Sequence, residues 1–231
     1  MYSNPIIDVI IPAYNEVDAI GFVLDEIPKE LVRNVVVANN NSTDETAIVS
    51  ESHGATVVFE PKAGYGNACL KAMDFIATQE VKPDIIVFLD GDHSDYPEQM
   101  IDVVAPILEG KAELVIGSRA LGKAESGSLT PQQVFGNWLA TRLLKLFYGV
   151  KFTDLGPFRA IGYESLLALE MNDPTYGWTV EMQIKAAKQK LKCLEVPVNY
   201  RVRIGQSKVS GTVKGTIGAG YKIILTLIKY L

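Results

Sequence analysis

The chain has 231 residues and a mass of 25.3 kDa, enough to bury one large core, so we expect one domain over residues 1–231. Hydrophobic residues make up 48% and charged residues 21%, which excludes the highly charged composition of disordered chains. The two cysteines, Cys69 and Cys193, stand far apart without a CxxC motif, which argues against a disulfide framework or a zinc site. We expect a cytoplasmic protein without a secretory signal or a spanning helix, because no apolar run approaches roughly 18–20 residues.

The net charge of −5 hides a difference between the two ends of the chain. Residues 185–231 contain ten Lys or Arg residues and one acid, a net charge of +9, which leaves −14 for residues 1–184. A basic tail of this kind is typical of a solvated surface or of a segment attracted to phosphates or anionic lipid headgroups. We expect no nucleic-acid partner.

Short β-branched runs alternate with longer amphipathic stretches through the first half of the chain. The predicted strands are residues 6–11, 34–38, 56–59, 85–89 and 114–116. This order predicts an α/β fold with a mostly parallel central sheet and helices on both faces. Ligands of such sheets bind at the carboxyl ends of the strands, so candidate sites should follow strands directly.

Polar segments follow three of the predicted strands. Residues 12–16 follow the first, residues 39–44 the second and residues 90–92 the fourth. One crevice could therefore hold all three. A Gly-rich turn, Gly-Tyr-Gly at residues 64–66, opens a predicted helix whose N-terminus could face a diphosphate.

The second half of the chain begins with a Gly/Ser-rich loop, residues 120–130, which could form a lid or an acceptor-side loop. Predicted helices over residues 131–147 and 177–189 follow, and a strand is predicted over residues 194–200. Residues 211–231 are apolar with interspersed lysines, which predicts an amphipathic helix.

Asp90 and Asp92 close a buried strand, so two carboxylates emerge together where a parallel sheet places its ligands. Carboxylate oxygens in this position suit Mg²⁺ or Mn²⁺, which would bridge and neutralise a diphosphate. The alternative is a pair of turn-forming aspartates beside Gly91. Taken alone, an Asp-x-Asp tripeptide does not decide between the two.

The ordered combination of motifs is more specific than any one of them. Ile-Pro-Ala-Tyr-Asn-Glu at 11–16 is followed by Asn-Ser-Thr-Asp-Glu-Thr at 41–46, Phe-Leu-Asp-Gly-Asp at 88–92 and Gly-Ser-Arg at 117–119. This series resembles family 2 glycosyltransferases of the GT-A fold, within them the branch related to dolichyl-phosphate mannose and dolichyl-phosphate glucose synthases. The later segments Asp-Leu-Gly-Pro-Phe-Arg and Arg-Ile-Gly-Gln-Ser-Lys extend the resemblance over nearly the whole chain.

The resemblance implies a nucleotide-sugar-binding half at residues 1–119, an acceptor half at 120–210 and an amphipathic segment at 211–231. It implies metal binding by Asp90 and Asp92, with Asp92 also catalytic. It further implies nucleoside contacts from Pro12, Tyr14 and Glu16, and phosphate contacts from Arg203, Ser207 and Lys208, Arg203 being catalytic.

One departure concerns the nucleobase. Where the family usually shows paired aspartates, this sequence has Asn39 and Asn40. An amide can accept a hydrogen bond from a base but also donates and carries no charge. We therefore predict that these residues contact the base, with the donor left open between a GDP-sugar and a UDP-sugar.

The lack of a second acidic residue beside Glu181 indicates the type of acceptor. Relatives with alcohol acceptors often have a Glu-Asp pair late in the chain, whereas here Glu181 is followed by Met182. A phosphate monoester is largely ionised at neutral pH and needs no strong base. We therefore predict an inverting transfer to a polyprenyl phosphate, with Glu181 as a candidate catalytic residue and Arg119 and Arg159 as phosphate-binding residues.

Three alternatives remain at this stage. The acceptor could be a soluble or glycan alcohol, the protein could be a sugar nucleotidyltransferase, or it could bind nucleotide sugars without catalysis. The 211–231 segment could lie on the cytoplasmic face of the membrane, pack on the core or form a homodimer interface.

Overall fold

A seven-stranded sheet organises the protein, and the computed structural model describes residues 5–205 and 213–231. The strand order is β3-β2-β1-β4-β6-β5-β7, and only β6 runs antiparallel to its neighbours, which are β4 and β5. The predicted α/β fold with a mostly parallel sheet is thereby confirmed. The strands are β1 (Ile7–Ala13), β2 (Asn34–Asn39), β3 (Thr56–Phe59), β4 (Ile85–Phe88), β5 (Leu114–Ser118), β6 (Arg159–Gly162) and β7 (Cys193–Pro197).

Helices cover both faces of the sheet, as the alternation of strands and amphipathic stretches predicts. In β1, Ile10 points to one core, while Val9 and Ile11 point to the other. Helices α3, α5, α6, α7 and α8 pack on the first face and α1 and α4 on the second. The helices are α1 (Ile20–Glu26), α2 (Thr46–Ser52), α3 (Tyr65–Thr78), α4 (Met100–Leu108), α5 (Pro131–Tyr148), α6 (Tyr163–Ala168), α7 (Trp178–Lys188) and α8 (Val213–Lys229).

Helix α5 shows why its boundaries could be read from the sequence. The Thr130 hydroxyl accepts a hydrogen bond from the Gln133 N–H, and the Gln133 side chain accepts one from the Thr130 N–H, forming a capping box. Gly149 ends the helix in the left-handed conformation, with φ of 71°. Strand β7 ends at Pro197, three residues before the predicted end.

Helix α8 is amphipathic, as predicted, but its inner side is part of the core. Leu227 is 1% exposed, and the Tyr148 hydroxyl donates to the Leu227 carbonyl at 2.6 Å. Lys222 forms an ion pair with Asp173, so this lysine faces the protein. In the described part of the chain, no helix is both long enough and apolar enough to cross a membrane.

Candidate active site

A cavity of about 610 Å³ opens at the carboxyl ends of β1 and β4. It also receives residues from α5, the start of α3 and α8, so both halves of the chain contribute to it. The sequence-predicted residues that line it are Pro12, Tyr14, Glu16, Asn40, Asp90, Asp92, Arg119 and Arg203.

The segment after β1 is fixed to the segment after β2 by short polar contacts. Asn15 adopts a left-handed conformation, with φ of 52°, and its side-chain oxygen accepts a hydrogen bond from the Thr43 N–H at 2.8 Å. The Glu16 N–H donates to the Thr46 hydroxyl, also at 2.8 Å. Tyr14 remains 45% exposed at the cavity, which leaves its ring face open to a planar ligand.

Asp90 and Asp92 lie together at the cavity, as predicted from the end of β4. Burial, followed by the negative charge of Asp92, raises the pKa of Asp90 to about 6. The Tyr65 hydroxyl donates to Asp90 at 3.2 Å. Asp92 accepts hydrogen bonds from the backbone and hydroxyl of Ser94, at 2.9 and 2.5 Å.

Arg203 forms an ion pair with Asp92, with 2.5 Å between a guanidinium nitrogen and a carboxylate oxygen. Backbone hydrogen bonds fix the two segments side by side: Ile204 N–H donates to the Asp92 carbonyl at 3.0 Å, and Arg201 N–H to the Ser94 carbonyl at 2.9 Å. Arg203 is therefore the positive group that balances the charge of this carboxylate.

Two further side chains, Arg201 and His93, anchor the segments that carry Arg203 and Asp92 from outside the cavity. The Arg201 guanidinium and the His93 ring both contact the Glu26 carboxylate of α1, the ring at 3.0 Å. Although burial raises the pKa of Glu26, hydrogen bonds from Arg201 and His93 outweigh it and lower that pKa below its usual value. These contacts were not predicted from the sequence, because Glu26 stands far from its partners along the chain.

The carboxylates fit a divalent metal that is held partly by substrate. Among the described residues, no group of three or more His, Cys, Asp or Glu side chains is arranged to hold an ion by itself. Mg²⁺ is typically bound by one or two carboxylates, with phosphate oxygens and water completing its shell. Asp90 and Asp92 match that donor set. Nearby Asp95 is buried with neither carboxylate oxygen hydrogen-bonded, and burial together with Asp90 and Asp92 raises its pKa.

Arg119 lines the cavity as predicted, but it is already paired. Its guanidinium donates twice to Asp154, at 2.8 and 2.7 Å, and lies 5.0 Å from the centre of the Tyr200 ring. Burial lowers the pKa of Arg119, but the charge of Asp154 outweighs it and raises the pKa overall. Asp154 therefore holds the positive charge of Arg119 in a fixed position at the cavity.

Arg159, expected at the phosphates, lies outside the cavity. It is 1% exposed and donates to the carbonyls of Leu155 at 2.7 Å and Thr179 at 3.0 Å. A third acceptor is the Gly156 carbonyl. Burial lowers the pKa of Arg159 to about 10. Since Leu155 and Thr179 line the cavity, Arg159 supports the wall from behind.

Glu181, expected as a catalytic residue, is fully buried away from the cavity lining. Its carboxylate accepts hydrogen bonds from the Asp173 N–H at 2.8 Å and the Tyr230 hydroxyl at 2.5 Å. Lys185 lies 2.9 Å away, one helical turn further on. The contacts with Asp173 and Tyr230 tie α7 to other parts of the chain, and Lys185 balances the charge within the helix, so the geometry gives Glu181 a structural position.

Asn39 and Asn40 are both buried, and both use their amides within the protein. The Asn39 oxygen accepts a hydrogen bond from the Ser42 N–H at 3.0 Å. The Asn40 amide donates to the Glu60 and Lys62 carbonyls at 3.1 and 2.7 Å, and its oxygen accepts from the Gly64 N–H at 2.8 Å. Ser207 and Lys208 lie outside the described residues.

The turn that opens α3 faces the cavity, as predicted, and requires its glycines. Gly64 has a φ of 141°, and a Cβ on Gly66 would lie 1.8 Å from the Asp173 carbonyl oxygen. The Pro174 carbonyl accepts a hydrogen bond from the Asn67 N–H at 2.9 Å. We call residues 172–176 the 172–176 loop; it contacts α3, α7 and α8.

The sequence did not indicate the side of the cavity that α5, the 172–176 loop and α8 form. Gln132 and Asn137 come from α5, Tyr176 from the 172–176 loop and Ile223 from α8. Polar and apolar residues in these positions look like ordinary solvated and core faces of helices, so no local signal marks them. The Gly/Ser-rich loop, residues 120–130, which the sequence indicated as a lid or acceptor-side loop, contributes no residue to the lining of the cavity.

A largely parallel sheet with an Asp-x-Asp pair at the end of β4, facing basic side chains across a cavity, defines a glycosyltransferase of the GT-A fold. The family model for glycosyl transferase family 2 matches residues 8–168. The chain belongs to that family and is an enzyme.

Known relatives agree with this assignment. An uncharacterized glycosyltransferase of Mycobacterium tuberculosis is 33% identical over 213 residues, covering 91% of this chain and 93% of the relative. The undecaprenyl-phosphate mannosyltransferase of Micrococcus luteus is 27% identical over 221 residues, covering 89% and 88%. The structure of glucosyl-3-phosphoglycerate synthase from M. tuberculosis with Mn²⁺, UDP-glucose and phosphoglyceric acid matches with a TM-score of 0.76 and 24% identity, covering 98% of this chain and 79% of that one. At that identity, the match establishes the shared fold.

Proposed function

We propose that the enzyme is a metal-dependent inverting glycosyltransferase that moves a sugar from a nucleoside-diphosphate donor to a polyprenyl phosphate. The observation that carries this proposal is the pairing of Asp90 and Asp92 at a cavity whose basic lining residues are Arg119 and Arg203. Negative groups for a metal and positive groups for phosphates stand together at the strand ends.

The donor's nucleoside lies along Pro12, Tyr14 and Glu16, and its diphosphate lies between the carboxylates and the start of α3. The exposed ring face of Tyr14 suits stacking on a base. Asn40 retains one lone pair on its side-chain oxygen, because its other hydrogen-bonding positions are occupied. Both GDP- and UDP-sugars remain candidates, and the neighbouring structure with UDP-glucose supports a uridine donor.

Asp90 and Asp92 hold Mg²⁺ or Mn²⁺ in this proposal. A metal held there would supply positive charge that neutralises the departing diphosphate. Arg203, which pairs with Asp92 in the structure, would be available to bind a phosphate oxygen when a metal balances that carboxylate. Arg119, held by Asp154, presents a fixed positive charge to the same phosphates.

The acceptor follows from the acids that line the cavity. In the described residues of the lining, the acids are Glu16, Asp90 and Asp92, all of which follow donor-side strands. Glu181 is buried in its own network, so the described acceptor side offers no carboxylate base. A phosphate acceptor is already ionised and requires none. The name of the Micrococcus relative supports the same acceptor class.

In the resulting step, an acceptor phosphate oxygen forms a bond to the anomeric carbon while the bond from that carbon to the donor diphosphate breaks. Attack from the face opposite the leaving group inverts the anomeric configuration. The nucleoside diphosphate leaves with both electrons of the broken bond, and no proton has to be removed from the acceptor.

The test measures nucleoside diphosphate release with a panel of UDP- and GDP-sugars, Mg²⁺ or Mn²⁺, and three acceptors: a short-chain prenyl phosphate, the matching prenyl alcohol and phosphoglyceric acid. We expect release with the prenyl phosphate alone. The Asp92→Asn variant should lose turnover by about 10³-fold or more while keeping its fold. Release with the alcohol or the soluble acceptor would instead establish the alternative of an alcohol acceptor. Full activity of Asp92→Asn in the presence of chelator would show that turnover does not depend on a metal.

A further inference from the structure

Helices α5 and α8 pack against each other, and each turns apolar side chains outward. On α5, Phe135 and Trp138 are 61% and 51% exposed, and on α8, Tyr221 and Ile228 are 63% and 56% exposed. Exposed apolar residues are common one at a time, whereas a contiguous set marks a binding surface. We define the α5/α8 face as Phe135, Trp138, Leu146, Tyr221, Leu225 and Ile228.

The outward residues of α5 form one side of the helix. Phe135, Trp138, Arg142 and Leu146 follow at intervals of three or four positions, while Leu144 points inward and is fully buried. The helix is therefore apolar on both sides. Its inner side serves the core, and nothing within the described chain covers its outer side, because those side chains are exposed.

The charge on this surface has one sign. Neither residues 131–148 nor residues 213–231 contain an acid. Arg142 and Lys145 are exposed on the outward side of α5, and the Arg142 guanidinium lies 5.9 Å from the centre of the Trp138 ring. Tryptophan beside arginine or lysine on an apolar helix face is the composition of elements that lie in the headgroup region of a bilayer.

A second copy of the chain fits this face less well. A two-fold dimer brings the same patch of both copies together, so Arg142 and Lys145 would meet their own copies without an acid on either helix. Anionic lipid headgroups instead supply the negative charge that this face lacks. Charge complementarity therefore favours a membrane surface.

We propose that the α5/α8 face binds the surface of an anionic bilayer, with Phe135 and Trp138 at the acyl boundary and Arg142 and Lys145 on lipid phosphates. Gln132 of α5 and Ile223 of α8 line the cavity, so the same two helices form both the docking face and a wall of the active site. Docking places the mouth of the cavity beside the bilayer. The surface is independent of the acceptor's identity.

The test uses the full chain with vesicles of phosphatidylcholine, with or without about one quarter phosphatidylglycerol, and with no donor or acceptor present. We expect co-sedimentation with the anionic vesicles that weakens as salt rises. Phe135→Ser/Trp138→Ser should weaken binding by roughly tenfold or more through lost apolar burial. Arg142→Gln/Lys145→Gln should weaken binding to the anionic vesicles by a similar factor and should flatten the salt dependence.

Ile48→Ser/Ile101→Ser is the matched control, since these residues are 64% and 54% exposed on α2 and α4. It should bind as the parent does. Brominated lipids should quench Trp138 in the parent, because the other tryptophan, Trp178, is 1% exposed. Absence of vesicle binding in the parent, or an equal loss in the control, would overturn the proposal. So would a parent dimer that Phe135→Ser/Trp138→Ser converts to a monomer without any vesicle binding.

Discussion

Arg203 and Asp92 form an ion pair and balance each other's charge. Burial lowers the pKa of Arg203, but Asp92 and its neighbours outweigh this effect and raise the pKa overall, so the guanidinium stays charged. A metal ion bound by Asp92 would meet that positive charge. On the proposed function, Arg203 would oppose the binding of a metal alone and would favour the binding of phosphate once a metal is bound.

Replacing Arg203 by Gln should change these two affinities in opposite directions. Without nucleotide, Mn²⁺ should bind severalfold more tightly, because a nearby positive charge is lost. In the presence of metal, nucleoside diphosphate should bind about tenfold more weakly, because a charge-assisted hydrogen bond is lost. Isothermal titration calorimetry measures both, with Arg142→Gln, at an exposed position on α5, as the control. A loss of both affinities would show that Arg203 does not compete with the metal.

Asp90 makes a pH-dependent contribution to the stability of the metal-free protein. Its pKa is about 6 in the fold against 3.8 for an unperturbed aspartate, so the folded state binds the proton more tightly. Stability from this group is fully present below about pH 4 and is lost as the pH rises through about 6.

Asp90→Asn should therefore stabilise the metal-free protein at pH 7 by a few degrees in thermal unfolding, while abolishing metal binding. The variant should also lose the part of the pH dependence between about 4 and 6. Thermal unfolding across pH measures both effects, with Asp74→Asn, at an exposed position, as the control. A less stable Asp90→Asn variant at pH 7 would contradict the account in which burial and the charge of Asp92 raise the pKa of Asp90.

Helices α7 and α8 are joined by a buried polar network centred on Glu181. Tyr230 donates to Glu181 at 2.5 Å, and burial together with this carboxylate raises the pKa of the tyrosine. Tyr230→Phe would remove the donor and leave part of a buried charge unsatisfied. We expect a loss of about 1–3 kcal/mol, or about 2–4 °C in melting temperature for each kcal/mol.

Tyr221→Phe is the matched control, since Tyr221 lies on the exposed side of α8. Its melting temperature should stay within about 1 °C of the parent. Donor turnover at a temperature well below unfolding should be unchanged in Tyr230→Phe, because Glu181 lies outside the cavity lining. A selective loss of turnover without a loss of stability would return Glu181 to the catalytic role that the sequence predicts.

Asn40 joins the end of β2 to the segment that precedes α3. In Asn40→Asp, a carboxylate would replace the amide that donates to the Glu60 and Lys62 carbonyls. We expect the loss of both hydrogen bonds and of roughly tenfold in affinity for UDP and GDP alike. Competition binding with the two nucleotides measures this. A change in their ratio would instead support the base contact that the sequence predicts.

The sequence predicted elements whose signals are local and missed those that depend on distant partners. The start of the helix at residue 131 and the buried run before Asp90 depend on residues that are neighbours in the sequence, so both were predicted. Strand β6 was missed because it has four residues, includes Arg159 and pairs antiparallel with strands far away in sequence. Arg159 and Glu181 were placed at the site for their charge, but carbonyls and N–H groups of other segments enclose them.

The active-site cavity spans both halves of the molecule, so ligands should stabilise the whole fold. Metal and nucleoside diphosphate together should raise the melting temperature by several degrees, since about 100-fold excess over the dissociation constant adds about 2.7 kcal/mol. Either ligand alone should have a smaller effect, because Asp90 and Asp92 require phosphate oxygens to complete the metal shell. Differential scanning fluorimetry with and without chelator measures this. Equal shifts for nucleotide with and without chelator would contradict metal dependence.

The two halves proposed from the sequence share one sheet in the structure. Strands β6 and β7 come from the acceptor half, yet they pair with β4 and β5 of the donor half. Sequence order could not reveal this exchange, because β6 and β7 pair with strands that lie far from them along the chain. For the same reason, residues from both halves line the cavity.

The 172–176 loop connects the partly exposed helix α8 to the start of α3 at the cavity. The Asp173 carboxylate pairs with Lys222 of α8 at 3.1 Å. The Asp173 carbonyl lies so close to Gly66 that a Cβ there would clash with it, and the Pro174 carbonyl accepts a hydrogen bond from the Asn67 N–H. The 172–176 loop therefore connects α8 to the turn that lines the cavity at the start of α3. Because coupling between two binding events is reciprocal, a bilayer that shifts α8 should alter donor affinity by the same factor by which donor alters attachment. The donor affinity of an enzyme coupled in this way would depend on whether the enzyme is attached to a bilayer.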